Sequence, residues 1–383
     1  MILDNIKKSD FLNHEGSFKT IFHIDFDYFY AQCEEIRNPA LKNLPIIICV
    51  YSGRSEDSGV VSTCNYHARK FGVKSGIPIK NAKAKLLQTR SAFLPADIDH
   101  YNDVSNSATK LVEEYGENYE KASIDEFYID FTKTTNSDFK DAKTLAKSLQ
   151  MNFKRKMKLT CSIGVGHNKL ISKIASASQK PNGLTVIYPN DAIDFISRLK
   201  VDDIPHIGPK TSNILRVLGI NSMIDIKKIS IFELKESLGY KTASFLVSAA
   251  NAIDYSRIKP QNTQRQIGKI VTIKNNSSLE SLIPIIKDMC RSVINRLDDK
   301  KKAFGTITVL LILENLEHIS TSKKMKIFST SAQVLQDNSL HIVTQLFIDK
   351  AISPQAIRRI GVTVSDLRDV SGQHSLFDYI NAW

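Results

Sequence analysis

Two pairs of carboxylates stand in runs of residues that otherwise read as strands. The run Ile21-Phe22-His23-Ile24-Asp25-Phe26-Asp27-Tyr28-Phe29-Tyr30 is aromatic and branched, as strands prefer, yet it holds Asp25 and Asp27. Two apart, these acids project to one sheet face. An unpaired buried carboxylate is costly, so such acids are paired, solvated at an edge, or bound to a metal. Taken alone, a solvated sheet edge is the better reading. It loses ground to a second acidic pair in Ala122-Ser123-Ile124-Asp125-Glu126-Phe127-Tyr128-Ile129-Asp130. Asp125 and Glu126 are adjacent, so in a regular strand they would face opposite ways. Both reach one site only if the chain bends there, as at a hairpin or strand end. Three carboxylates from two segments make an oxygen-rich site of the kind Mg²⁺ prefers. Two such ions about 4 Å apart are the usual clamp for in-line phosphoryl displacement.

The stretches Asp25-Phe26-Asp27-Tyr28-Phe29-Tyr30-Ala31-Gln32, Ser123-Ile124-Asp125-Glu126 and Asn65-Tyr66-His67-Ala68-Arg69-Lys70-Phe71-Gly72-Val73 closely resemble the Y-family translesion DNA polymerases. Within them the resemblance is to the DinB, or DNA polymerase IV-like, branch of archaea. It runs from about Thr20 to about Val364. It implies a template-directed DNA polymerase that adds dNTPs to a primer 3′-hydroxyl with low fidelity, passes damaged template bases and does not proofread. Asp25, Asp125 and Glu126 would be catalytic. Asp25, the Phe26 carbonyl, Asp125 and Glu126 would hold two Mg²⁺ ions. Tyr28, Phe29, Tyr30, Thr63, Tyr66, Arg69 and Lys180 would contact the dNTP, and Tyr30 would be the steric gate that excludes a ribose 2′-hydroxyl. A hydroxyl, a phenol and a guanidinium all donate to phosphate oxygens, and Tyr66 and Arg69, three apart, share a helix face. Val50, Val60, Ser62 and Gly76 would roof the new base pair, with Val60 bulkier than the alanine expected there.

The elements that position these residues are read from pattern. Helices are expected over 29–37, 66–71, 80–88, 101–115, 138–157 and 167–176, and strands over 45–50, 60–65, 159–165 and 184–188. Gly164-Val165-Gly166-His167-Asn168-Lys169 lacks the spacing of a phosphate-binding P-loop. The resulting fold class is α+β, a polymerase right hand. Its ferredoxin-like palm spans 20–28 and 95–188, and small fingers span 29–94. Pro205-His206-Ile207-Gly208-Pro209-Lys210 resembles a helix-hairpin-helix that offers backbone N–H groups to DNA phosphate, with His206 where glycine is expected. This places a helical thumb at 189–254, with Gly208 and Lys210 as DNA contacts. A linker at 255–266 leads to an α+β little finger at 267–366. Its strands are expected at 267–273, 304–313, 324–328 and 359–364, and its helices at 279–297 and 331–350. There Lys323, Lys324, Lys326, Arg358 and Arg359 are candidate phosphate contacts.

Residues 1–19 read as an N-terminal extension. In the tail, 367–383, Gln373, Leu376, Phe377 and Tyr379 resemble a sliding-clamp-binding peptide.

Composition agrees with a polyanionic partner. The chain has 383 residues, a formal charge of +12 and a pI near 9.3. From Tyr255 onward 18 Lys and Arg face 11 Asp and Glu. A solvated basic surface explains any single cation equally well. Five cysteines show no pairing pattern and read as buried thiols of a reducing compartment. No apolar run is long enough to span a membrane, and no signal peptide is apparent. The expectation is a monomeric, cytoplasmic, nucleoid-associated protein whose partners are primer-template DNA, dNTP and a sliding clamp. Two other readings compete. A nucleotide cyclase could share the palm sheet but would need no DNA-binding thumb. A catalytically silent, clamp-recruited DNA-binding scaffold would not need Asp25, Asp125 and Glu126.

Overall fold

The strand bearing Asp25 and its acidic neighbour across the sheet decide the architecture. The computed structural model describes residues 18–370 apart from 117, 260–263, 274–277 and 351. These residues form two units, one of 18–49, 61–77 and 82–259, the other of 50–60, 78–81 and 264–370.

The first unit opens with β1 (Ile21–Phe26) and α1 (Phe29–Arg37). Along the chain three strands follow, β2 (Ile46–Tyr51), β3 (Gly59–Cys64) and, beyond α2 (Tyr66–Arg69) and α3 (Ile79–Lys85), β4 (Ala92–Pro95), with residues 50–51, 59–60 and 79–81 of these elements assigned to the second unit. They form a small sheet in the order β3-β2-β4, with β4 parallel to β2. No strand was expected at β4. Then come α4 (Ile98–Glu113), β5 (Tyr119–Lys121), β6 (Glu126–Asp130), α5 (Phe139–Met157), β7 (Cys161–Gly166), α6 (Lys169–Ser178) and β8 (Leu184–Val186). The main sheet has the order β5-β6-β1-β7-β8, so β1 is central and antiparallel to both neighbours. Strand alternation explains its two faces. Phe22, Ile24 and Phe26 pack into a core with Ala108, Leu149 and Phe153 of α4 and α5. His23 and Asp25 face the other way, toward α6. That helix lies directly on the sheet because β7 carries Gly164, where a Cβ would overlap the Ser172 carbonyl oxygen and the Ser176 amide nitrogen.

Caps set the helix ends. Asp138 accepts from the Lys140 amide at the start of α5, where Lys154, Arg155 and Lys156 oppose the dipole at the other end. Asn168 accepts from Ile171 N (2.9 Å) to start α6. Beyond β8, α7 (Ala192–Ser197), α8 (Pro209–Val217), α9 (Ile231–Leu238) and α10 (Tyr240–Ala250) share a core with α6.

The second unit holds β9 (Gln266–Thr272), α11 (Leu279–Asp298), β10 (Lys302–Leu313), β11 (His318–Ser329), α12 (Ala332–Lys350) and β12 (Ile357–Asp369). Its antiparallel sheet has the order β11-β10-β12-β9. α11 and α12 cover one face, burying Ile307, Val309, Leu311 and Val362. β11 and β12 run well past the 324–328 and 359–364 expected from the sequence.

All five cysteines are buried thiols outside any disulfide. Among the described residues no helix is long and apolar enough to cross a membrane. The tail residues Gln373, Leu376, Phe377 and Tyr379 and nearly all of the 1–19 extension lie outside the described residues, as does part of the 255–266 linker.

Candidate active site

Pairing brings the acids together. Asp25 sits opposite Glu126 across the β1–β6 pair, so both side chains leave the same face. Asp125 ends the turn from β5 into β6, and its carbonyl accepts from Phe26 N at 3.0 Å. The bend required by adjacent Asp125 and Glu126 is therefore a hairpin turn. Asp27, by contrast, points inward and is fully buried. Its Oδ1 accepts from Ser162 Oγ (2.7 Å) and its Oδ2 from Asn182 N (2.8 Å), which pins the turn carrying Lys180.

Each acid has its own partner. Lys180 Nζ is 2.5 Å from Asp25 Oδ1. Lys173 Nζ donates to both oxygens of Glu126, at 2.7 and 2.8 Å. Ser123 Oγ donates to Asp125 Oδ1 at 2.6 Å. Burial pushes the Asp25 carboxyl up to about 6, although Lys180 pulls it back, with Glu126 and Asp125 adding to the rise. Burial also raises Asp125. Burial would raise Glu126 too, but His23 and Lys173 outweigh it and hold that carboxyl far below its ordinary range. His23 is itself driven down to about 4 by burial, so it is neutral near pH 7 and Lys173 is the cation that keeps Glu126 ionised. His23 Nδ1 shares a 2.7 Å hydrogen bond with Ser176 Oγ, while Nε2 lies 3.9 Å from Glu126.

Lys173, His23, Ser176 and Ser123 were not singled out from the sequence. One signal was present: Lys169, Lys173, Ser176 and Lys180 recur at spacings of four, three and four. On α6 the first three make a polar stripe along one face, and Lys180 follows beyond the helix end.

Among the described residues no group of three or more His, Cys, Asp or Glu side chains stands in metal-holding geometry. The donor chemistry still fits a hard cation, being all oxygen, and two lysine ammoniums already sit on Asp25 and Glu126 as stand-in cations.

The phosphate-binding candidates also lie in this unit. Asn65 caps α2, accepting from Ala68 N at 3.1 Å, and also accepts from Ile46 N at 3.1 Å. Arg69 is exposed; its Nε donates to the Cys64 carbonyl at 3.2 Å and its guanidinium lies over the Tyr66 ring, 4.7 Å from the centroid. Thr63 is half-buried on β3. Tyr28 adopts a left-handed backbone, φ 36°, at the start of α1 and sets its ring edge-on to Tyr66 at 5.4 Å. Tyr30 stacks on Tyr101 at 4.3 Å, and Asp125 adds to the burial that raises its phenol. Phe29 differs from these in burial. Its ring is 2 % exposed in the core against Phe26, so only its backbone is left for a nucleotide.

The nucleic-acid candidates divide. Gly208 caps α8 and Lys210 lies in its first turn. His206 has φ 71°, the left-handed geometry that made glycine the expected residue. In the second unit, register separates the lysines. Lys324 pairs with Thr306, on the helix-free face, but Lys323 pairs with buried Ile307 and so lies on the helix-covered face. Lys326 is exposed on β11. Arg359 pairs with Ile312 and shares the helix-free face, and Arg358 approaches Glu314 at 3.8 Å.

The impB/mucB/samB family model matches residues 24–177, and the model of that family's C-terminal domain matches 264–376. The chain is 39% identical over 363 residues to DNA polymerase IV of Nitrosopumilus maritimus, covering 94% of this chain and 99% of that one. It is 36% identical over 359 residues to DNA polymerase IV of Saccharolobus solfataricus, with the same coverage. Among solved structures, a Y-family DNA polymerase chimera, Dbh-Dpo4(243-245)-Dbh, matches with a TM-score of 0.86 at 32% identity, over 91% of this chain and 99% of that one. An insertion ternary complex of Dbh DNA polymerase matches at 0.68, with the same identity and coverage.

Proposed function

Because the chain belongs to the impB/mucB/samB family, the Y-family DNA polymerases of the DNA polymerase IV (DinB) branch, we propose that it extends a DNA primer on a damaged template by metal-dependent nucleotidyl transfer at Asp25, Asp125 and Glu126. The observation that carries this is the meeting of those three carboxylates at one end of the β1–β6 pair, in the unit that also holds Tyr66, Arg69 and Lys180. Asp25, the Phe26 carbonyl, Asp125 and Glu126 would hold two Mg²⁺ ions. Bound there, Mg²⁺ would lower the pKa of the primer 3′-hydroxyl and stabilise charge on the leaving pyrophosphate.

The chain's own groups do the rest. Lys173 keeps Glu126 ionised, and Ser123 holds one oxygen of Asp125 in place. Thr63, Tyr66, Arg69 and Lys180 would bind and orient the triphosphate, with Arg69 preset over Tyr66. Tyr30, braced by Tyr101, would bar the 2′-hydroxyl of a ribonucleotide by bulk. The thumb hairpin at Gly208 and Lys210 and the cations Lys324 and Arg359 would take DNA phosphates. Low fidelity, lack of proofreading, clamp recruitment through Gln373, Leu376, Phe377 and Tyr379, and a monomeric protein on the cytoplasmic nucleoid complete the reading.

The test is extension of a labelled primer across an abasic site with Mg²⁺ and dNTPs, wild type against Asp125→Ala. Losing one electrostatic partner of a transition state costs about 10²–10³ in rate, and a loss of at least that size is expected for the variant. A stop at the lesion would keep the polymerase and remove bypass of that lesion. DNA binding without extension on undamaged template would leave only a DNA-binding scaffold.

A further inference from the structure

Lys180 is placed to do two jobs that exclude each other. Its ammonium sits 2.5 Å from Asp25 Oδ1, and an ammonium bound to that oxygen occupies a position that an ion held by Asp25 would need. The same side chain is the one read above as a triphosphate contact. We propose that Lys180 is an exchangeable counter-ion: it holds Asp25 while the nucleotide site is empty and moves to the triphosphate when a nucleotide enters, so that Asp25 is released to metal by the arrival of substrate. The inference rests on the triphosphate role proposed for Lys180.

Three observations support a side-chain exchange rather than a loop motion. First, the backbone after Lys180 is tied down, since Asn182 N donates to buried Asp27 at 2.8 Å, Ser162 Oγ donates to the same carboxylate at 2.7 Å, and Gly183 N donates to Ser162 Oγ at 3.3 Å. Second, the Lys180 side chain is 26 % exposed and Asp25 only 15 %, so the cation has room on its outer side that the acid lacks. Third, the other lysine at the site is held differently. Lys173 rises from within α6 and donates to both oxygens of Glu126, whereas Lys180 lies beyond the helix end, on the turn that follows α6, and reaches Asp25 at Oδ1. The competition also has a direction. A single exposed or half-buried ion pair is weak, and a polyphosphate offers a lysine several charged acceptors at once.

Removing Lys180 should therefore move two affinities in opposite directions. In the full chain without nucleotide, Lys180→Met should bind Mn²⁺ more tightly than wild type by about fivefold, the upper scale of one partly shielded ion pair. Electron paramagnetic resonance of free Mn²⁺ reads this, with Asp25→Asn measured alongside to identify the site. On a chain-terminated primer-template, the same variant should bind the correct dNTP about tenfold more weakly. Lys180→Arg, which keeps the charge, should stay near wild type in the Mn²⁺ titration. Thermal melting of each variant confirms that it is folded. Weaker nucleotide binding with unchanged Mn²⁺ affinity would overturn the exchange and leave the triphosphate contact standing. Unchanged nucleotide binding would remove the triphosphate contact and the exchange with it.

Discussion

Asp25 and His23 leave the same face of β1 yet take up protons in opposite senses. Burial lifts Asp25 to about 6 from 3.8, so between pH 4 and 6 the folded chain binds the extra proton and stability falls as pH rises. Burial lowers His23 from 6.5 to about 4, so between pH 4 and 6.5 the unfolded chain binds the extra proton and stability rises with pH. Each shift is worth on the order of 3 kcal/mol, and the two largely offset. In metal-free buffer, Asp25→Asn should leave the rising half alone, so its melting temperature climbs from pH 4 to 6.5 and exceeds wild type near neutrality. His23→Leu should show the falling half. Both variants tracking the wild-type profile would mean that neither shift is real. The gate residue is tested separately: Tyr30→Ala should raise ribonucleotide insertion relative to dNTP at least tenfold, read in single-nucleotide extension. At this scale the acids themselves were legible, because a carboxylate inside an apolar strand is conspicuous. Their partners were not, since Lys173 and Ser176 acquire meaning only when α6 is laid against β1.

The contact of α6 with the sheet shows how an element sets the chemistry. Gly164 allows the helix carrying Lys173 and Ser176 to lie against β7, so its side-chain-free surface is a condition of the Glu126 ion pair. Gly164→Val should destabilise the fold by about 1–3 kcal/mol, the usual cost of overpacking, and should lower the extension rate beyond what that loss explains at a temperature where the variant is fully folded. Melting curves paired with single-turnover rates would separate the two effects. Most elements were legible from period and caps: α1 falls on the expected residues, and α5 and α11 end within a residue of theirs. The failures have physical causes. β4 is four residues long and reads as part of a loop until β2 offers a parallel partner. β11 is largely Ser, Thr and Lys with one exposed edge, so it lacks the apolar alternation that marks a half-buried strand, and pairing with β10 alone reveals its length. Burial of the Phe29 ring was not legible, because a motif gives order along the chain and not the side on which a ring is buried.

For the whole molecule the surplus of positive charge becomes a statement about salt. Neutralising DNA phosphates makes affinity fall steeply with ionic strength, each contact adding about one to the slope of log K against log salt. Lys324→Ala and Arg359→Ala should each reduce that slope by about one. Lys323→Ala, on the helix-covered face beside Ile307, should leave it unchanged. Equal effects from Lys323 and Lys324 would show that the helix-free face is not the DNA surface. Removing residues 371–383 should spare extension on short primers but abolish any stimulation by a sliding clamp. The buried thiols have a practical side. Burial drives Cys33 up to about 12 and Cys290 to about 11, and raises Cys64 and Cys161 as well, so none of the four forms a reactive thiolate at neutral pH. With Cys49 also buried, the native chain should label only slowly with maleimide dyes. A single cysteine introduced on either unit would then carry a fluorophore alone, without a cysteine-free background, and motion during a catalytic cycle could be followed by light in an otherwise unaltered polymerase.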